Sequence, residues 1–557
     1  MALPILQSLA VFAATWIAWR VLRRLVRGDP FAPLRGPPSP SYITGCMKLL
    51  FSNTGMAYHE HLVKTYGRAF RLPGMFGETL LYVHDPKAMH HLVVKDTHIY
   101  EESDDFLLTN KNVFGKGLLA TIGDDHRRQR KMLTPAFSIN HMREMTPTFY
   151  GIIHKLRESI TQQVVPGGEV EEIDLLSWMT RTALELIGQG GFGYSFDTLE
   201  HDAPEHPYSA AIKNYLSALN TPSLLLTRLF LSPRLWELGS PKFRRAVINA
   251  IPWKGLHELR DLVDIMDGTA VEIFESSKRA LNDSESDLSK RIGGGKDVMS
   301  ALLKANMTAS EEDRMPDDEL LAQISTFIFA GMDTTSNGLA RILHLLSEHQ
   351  EVQDKLRQEV SEAYEKQDGD LDYDTLNSLA YLDAVCRESL RLHPPAFAVL
   401  REAKVDGVLP LGRPIITTDG REVSEIFVPK GTKIFLSIHH CNREEEIWGP
   451  DAAEWKPERW MAPLPSSVAD ARVPGIYSNM MTFLGGGRAC IGFKFSQLEM
   501  KVVLSLLVQR FKFAPSGKKV VWLNNGIIQP STEDSPLTAM GHKKLHLPLN
   551  VSFAKSA

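Results

Sequence analysis

A stretch that opens at Pro316-Asp-Asp-Glu-Leu320 can be accommodated in few ways. Proline begins it, and acidic residues occupy its first turn, where a helix N-terminus favours negative charge. Apolar residues then recur on several faces, through Leu320, Ile324, Phe327, Ile328, Ile342, Leu345 and Leu346. A helix of about thirty residues is long for a globular protein. One that is apolar on several faces crosses a core instead of lying on it. The 557 residues would by default divide into three or four domains, but one large core fits this helix better. From Ser41 onward there is no internal repeat and no second low-complexity linker; Ser284 to Lys296 reads as a surface loop. Strand-like pieces are few: Thr79 to Val83, Glu425 to Val428 and Lys433 to Ile438. The expected class is mainly α with a small β portion, in one large domain.

Charge and cysteine usage exclude several functions. There are 62 basic and 67 acidic residues, a net charge of −5, so nothing suggests a nucleic-acid binder. Cys46, Cys386, Cys441 and Cys490 are far apart, with no Cys-x-x-Cys spacing. That spacing argues against a disulfide scaffold and a structural zinc cage built on cysteines.

The N-terminus reads as a membrane anchor. Met1 to Trp19 carry no charge, and Arg20, Arg23, Arg24 and Arg27 follow. A cleaved signal peptide would place positive charge before the apolar run, not after it. The positive-inside rule puts the body in the cytosol. An interfacial or buried helix is the other reading of so short a run. Residues 28–45 are proline-rich, with five prolines and two glycines between Gly28 and Pro40, and are expected to form a stiff linker. The expected division is anchor 1–27, linker 28–45 and a large body 46–557. Asn282, Asn306 and Asn550 stand in glycosylation sequons that a cytosolic body would leave unused.

The chemistry concentrates in Phe483-Leu-Gly-Gly-Gly-Arg-Ala-Cys-Ile-Gly492. Three consecutive glycines let the backbone approach a flat ligand. Cys490 stands two residues after Arg488 and just before an apparent helix, Phe493 to Leu507, a setting expected to lower a thiol pKa. Phe483, Gly486, Arg488, Cys490 and Gly492 together resemble the haem-binding loop of the cytochrome P450 family. The resemblance implies that fold, with haem b (iron protoporphyrin IX) as cofactor and Cys490 as the axial thiolate on its iron.

Three further segments answer the same resemblance, in the family's order. Glu388 and Arg391 match its Glu-x-x-Arg helix, and Arg459 in Pro457-Glu-Arg-Trp460 is the implied third member of a structural charge triad. Trp460 stands where the family has Phe. Asp333 and Thr334 in Ala330-Gly-Met-Asp-Thr-Thr335 resemble its acid–alcohol pair for proton delivery. Gly331 and two threonines are poor helix residues, and the Thr334 hydroxyl can bond a carbonyl one turn back and open the helix locally. His126 and Arg130, at i and i+4, resemble its haem-propionate contacts, with Arg488 and, more weakly, Arg401 added. Arg127, Arg128 and Lys131 are expected to be partly free for docking an acidic flavoprotein.

The implied reaction is RH + O2 + 2e− + 2H+ giving ROH and water. No flavin or dinucleotide fingerprint is evident, so the resemblance implies a separate NADPH–cytochrome reductase, an endoplasmic-reticulum membrane location and a monomeric chain. Walls for a lipophilic substrate, a terpenoid or other secondary metabolite, are expected at Phe106–Phe114, Tyr208–Leu231, Phe327–Ala330, Ala396–Val399 and Asn524–Ile528. A haem-thiolate isomerase or dehydratase independent of O2, and a non-catalytic haem sensor or carrier, are the other readings; the acid–alcohol pair argues against both.

Overall fold

The computed structural model describes residues 28–52, 54–164, 170–219, 238–282, 295–538 and 543–554, with positions 11, 15 and 224. The anchor expected at 1–27 lies outside the described residues apart from Val11 and Thr15, as does most of the loop expected at 284–296. No helix among the described residues is long and apolar enough to cross a membrane.

The long helix runs Asp317–Glu348, 32 residues, with Pro316 as its N-cap and three acidic residues in its first turn. It is buried on nearly every face, from Leu320 through Ile328 to Leu346. Against it pack Leu175–Leu186, Lys254–Asn282, Ala380–Leu392 and Phe493–Arg510, and Ile139–Gln163 shares the same hydrophobic core. Side-chain caps start two of these helices, from Asp174 and Ser138. Ala380–Leu392 stops just before His393-Pro394, since the proline cannot continue the helix.

Strands are more numerous than the sequence suggested. In chain order they are β1 Ala69–Pro73, β2 Thr79–Val83, β3 Tyr100–Glu101, β4 Glu171–Asp174, β5 Ala398–Ala403 and β6 Gly407–Ile416. Then come β7 Glu422–Val428, β8 Lys433–Ser437, β9 Phe511–Pro515, β10 Val520–Asn524, β11 Ile528–Thr532 and β12 Pro548–Phe553. The order β1-β2-β8-β5-β3 forms a five-stranded sheet; β4-β12-β9 forms a second, and β6–β7 and β10–β11 are hairpins. Most of these strands have only two to six residues, too short to give a period-2 signal above background.

The proline-rich segment is docked, not free. Phe31 and Leu34 are buried in the core under the five-stranded sheet. The Arg71 N–H donates to the Arg35 carbonyl at 3.0 Å, and the Thr418 N–H to Pro33 at 2.8 Å. Its prolines remove helix, as expected, but two apolar side chains between them find a core. Asn306 is likewise committed: its side chain donates to the Met315 carbonyl and accepts from the Met315 N–H.

Candidate active site

The long helix, the cysteine loop and the first strand after Pro395 enclose a cavity of about 610 Å3. Cys490 lines it, as do Ala330, Gly331 and Thr334 of the long helix. The remaining lining is largely apolar and aromatic. Phe114, Phe329 and Tyr215 interlock, with ring centroids 4.9 Å apart for Phe114–Phe329 and 5.7 Å for Phe114–Tyr215. All five wall segments expected from sequence contribute, through Phe106, Tyr215, Phe327, Val399 and Gly526 among others. Phe51, Ile187 and Phe435 were not foreseen, because each comes from a segment with no motif of its own.

The cysteine loop is shaped by close backbone approaches. Gly486 has φ +66°, and a Cβ there would lie 1.9 Å from the Val93 carbonyl oxygen. A Cβ on Gly485 would lie 1.9 Å from that of Pro474. No side chain fits either place. The loop is closed by the Cys490 N–H donating to the Phe483 carbonyl at 2.9 Å. Phe483 packs its ring on Tyr477 and Phe493. Gly492 caps the following helix, Phe493–Arg510.

The Cys490 sulfur opens into the cavity. The expectation of a lowered thiol pKa is corrected here. Burial pushes the thiol up, and the Gly492 N–H and the Arg130 charge only oppose it. Enclosure costs the thiolate more than one hydrogen bond and one cation return. Cys46, Cys386 and Cys441 are buried free thiols away from this cavity.

One cavity wall is strongly cationic. Arg130 donates to the Ala489 carbonyl at 2.6 Å, so it also ties the helix Gly123–Leu133 to the cysteine loop. Arg488 donates to the Thr121 carbonyl at 2.7 Å and faces Glu101 at 3.5 Å. Arg401, 2% exposed, pairs with Glu102 at 2.9 Å. Its other terminal nitrogen, Nη2, is buried without a hydrogen-bond partner. His126 lines the same wall, and burial, with Arg488 and Arg130, lowers its pKa to about 3. Three guanidiniums, one buried and two half-buried, beside two carboxylates, with one donor orphaned, fit a ligand that brings its own carboxylates. With the glycine-shaped loop and a thiol facing an apolar chamber, they fit haem. Of the basic run, Arg127 is paired with Asp124, Arg128 with Glu319 at 2.8 Å and Lys131 with Asp313 at 2.7 Å. Arg127 and Lys131 are exposed, as expected, and their ion pairs are weak surface pairs, whereas Arg128 is largely covered by its bond to Glu319.

The charge triad assembles and extends. Arg391 grips Glu388 with two bonds, at 2.9 and 2.8 Å, both residues being fully buried. Arg459 adds a third at 3.3 Å, and the Trp460 indole N–H a fourth at 3.0 Å. Trp460 is therefore a partner of the triad, which a Phe could not be. From the triad a chain of bonds leads to the cysteine loop. Arg391 donates to the Asn442 carbonyl at 3.0 Å, and the Asn442 side chain binds the Met481 N–H and the Thr482 hydroxyl. Thr482 immediately precedes Phe483, whose carbonyl holds Cys490.

On the long helix, the Thr334 hydroxyl donates to the Ala330 carbonyl at 2.9 Å, one turn back. The helix nevertheless runs unbroken, so the expected local opening does not occur; the hydroxyl shares the carbonyl without displacing the ladder. Gly331 has a second reason to be small: a Cβ there would lie 3.3 Å from Ile187. Asp333 is not on the cavity wall. Adjacent helix residues point about 100° apart, and its carboxylate turns to β11, accepting from Gln529 at 3.2 Å and Asn337 at 3.0 Å. Burial raises its pKa to about 6 against those two donors. Sequence reasoning did not find Gln529, Glu101 or Glu102, since pairing across 196 to 387 residues leaves no local pattern.

Comparison with known proteins agrees with this geometry. The family model described as cytochrome P450 matches residues 35–535. Cytochrome P450 monooxygenase 91 of Postia placenta is 48% identical, over 95% of this chain and 96% of its own. Cytochrome P450 monooxygenase 212 of the same fungus is 46% identical, over 97% of each. The ganoderic acid synthetase of Ganoderma lucidum is 44% identical, over 94% of this chain and 95% of its own.

Proposed function

The chain belongs to the cytochrome P450 family, as a haem-dependent monooxygenase, and we propose that its substrate is a lipophilic small molecule, a terpenoid or similar secondary metabolite. The observation that carries this reading is the cavity, aromatic and apolar on most sides, ending on Cys490 and Thr334. The relative named for ganoderic acid synthesis supports the same substrate class. Haem would be held by Cys490 and by His126, Arg130, Arg401 and Arg488, and would supply the O2 activation and C–H oxidation.

The protein's own residues do the rest. The aromatic cage excludes water and orients an apolar substrate over the cysteine loop. Thr334 presents a hydroxyl at the cavity wall, and Asp333 stands behind it as the nearest carboxyl in sequence, with a pKa close enough to neutrality to give and take a proton. The charge triad fixes the loop so that Cys490 keeps one position. Electrons come from a separate NADPH–cytochrome reductase. The uncharged run Met1–Trp19 and the arginines after it support a single-pass anchor in the endoplasmic-reticulum membrane, with the body cytosolic.

Reconstitution with such a reductase, isotopically labelled O2 and a terpenoid panel tests the proposal. Labelled hydroxyl in a product is expected, and Thr334→Ala is expected to keep consuming NADPH while product falls. Turnover of a hydroperoxide without reductase or O2 would overturn it.

A further inference from the structure

Behind one cavity wall the side chains become polar again. Phe435 of β8 lines the cavity, and its other side stacks on His59, ring centroids 5.4 Å apart. Past His59 lie Tyr82, His439 and His440, all buried. Glu60, on the helix Gly55–Tyr66, closes the group and keeps its side chain 38% exposed.

Three donor atoms converge there. Glu60 Oε1 is 3.3 Å from His439 Nε2 and 3.6 Å from His440 Nε2, and all three atoms lie within 4.8 Å of one another. Tetrahedral zinc with ligands at about 2.0–2.1 Å needs them about 3.4 Å apart. Two of the three edges already have that length. His440 Nε2 is buried and has no hydrogen-bond partner. The other ring nitrogen of His440 is held: Nδ1 lies 2.8 Å from Ser437 Oγ and 3.2 Å from Tyr82 Oη. Outer hydroxyls on Nδ1 leave the Nε2 lone pair facing inward, the arrangement that orients a histidine ligand. The opposing charge is Arg443, whose Nη1 is 3.7 Å from the same Glu60 oxygen. Arg443 is also drawn off toward the Leu392 carbonyl at 2.9 Å. It cancels Glu60, leaving a bound dication with the net charge of a three-histidine zinc site.

We propose that Glu60, His439 and His440 form a zinc site, with a fourth position open to solvent beside Glu60. Imidazole and carboxylate donors suit zinc among the available divalent ions. The ion would staple the helix Gly55–Tyr66 to the turn that follows β8. None of the three ligands lines the haem cavity, so the site is readable without turnover.

The test uses the haem-loaded protein, stripped with a chelator and titrated with zinc chloride by calorimetry. One zinc per chain is expected, with a zinc K-edge absorption spectrum showing nitrogen and oxygen neighbours and imidazole scattering. The melting midpoint should rise with zinc concentration, because only the folded state has the site. His440→Ala and Glu60→Gln should each weaken binding at least tenfold while the carbon monoxide difference spectrum stays intact. If His440→Ala does not fold, Glu60→Gln decides, since its side chain reaches the surface. Absence of stoichiometric binding, or binding undiminished in Glu60→Gln, overturns the proposal.

Discussion

Trp460→Phe restores the residue that the family's Pro-Glu-Arg-Phe segment carries, so sequence reasoning alone expects it to be harmless. The structure expects a loss. Glu388 is fully buried and its carboxylate accepts five hydrogen bonds. Three fall on Oε1, from Arg391, the Lys456 N–H and Arg459. Oε2 has two, from Arg391 Nε at 2.9 Å and the Trp460 indole at 3.0 Å. Phe leaves that oxygen with one donor and puts nothing polar in its place. A hydrogen bond to a buried charge is worth about 1.5–3 kcal/mol. Arg391 keeps its full grip, so the lower end applies, about 1.5 kcal/mol, or about a tenfold shift in the folded ratio. Loss of the indole's contact with Trp448, at 5.5 Å between ring centroids, adds to it. Because the triad connects through Asn442 and Thr482 to the cysteine loop, the loss should also be felt at Cys490. The assay is denaturant unfolding of the haem-loaded protein, followed by tryptophan emission and by the carbon monoxide difference spectrum. Both transitions should move to lower denaturant, the thiolate signal at least as far as the emission. Stability unchanged within about 0.5 kcal/mol would refute the claim that the indole N–H is part of the triad.

Other outcomes follow from the same geometry. Gly486→Ala puts a methyl 1.9 Å from a backbone oxygen at φ +66°, and should yield protein without a thiolate-type carbon monoxide spectrum. Arg401→Leu removes the orphaned buried donor and strands Glu102, and transfer of haem to an acceptor protein should be at least tenfold faster. His126 and His344 have folded pKa values of about 3 and about 4, lowered by burial from an ordinary 6.5. The unfolded chain then binds more protons than the folded one, so their contribution is present above pH 6.5 and is lost as pH falls toward 4 and 3; melting temperature should drop through that window, less steeply in His344→Gln. Gln529→Leu removes one of two donors that favour the Asp333 carboxylate, so the titration near 6 should move up, read as an upward shift in the pH profile of coupling between NADPH use and product.

Local patterns carried much of this. The long helix, the glycine-cysteine loop, the Glu-x-x-Arg pair and the strands Thr79–Val83 and Lys433–Ser437 could be read because each signal lies within one turn or one short run. The short strands of the other sheets were not legible, since their pairing is between distant segments. Trp460 was read as a conservative aromatic, and its hydrogen bond could not be foreseen. The cationic run at Arg127 to Lys131 was read as partly exposed charge, which Arg127 and Lys131 are, but the acidic partners Glu319 and Asp313 could not be foreseen because they stand almost 200 residues away.

What the sequence by itself determined is which residue types stand at which spacing, and so the family to which Cys490, Thr334 and the triad point. Tertiary structure alone decided how their charges are balanced. It raised the Cys490 thiol where local sequence argued for lowering, turned Asp333 away from the cavity toward Gln529, and left one nitrogen of Arg401 without a partner. The physical reason is that identity and spacing are properties of neighbouring residues, whereas desolvation and ion pairing depend on everything the fold packs around a group.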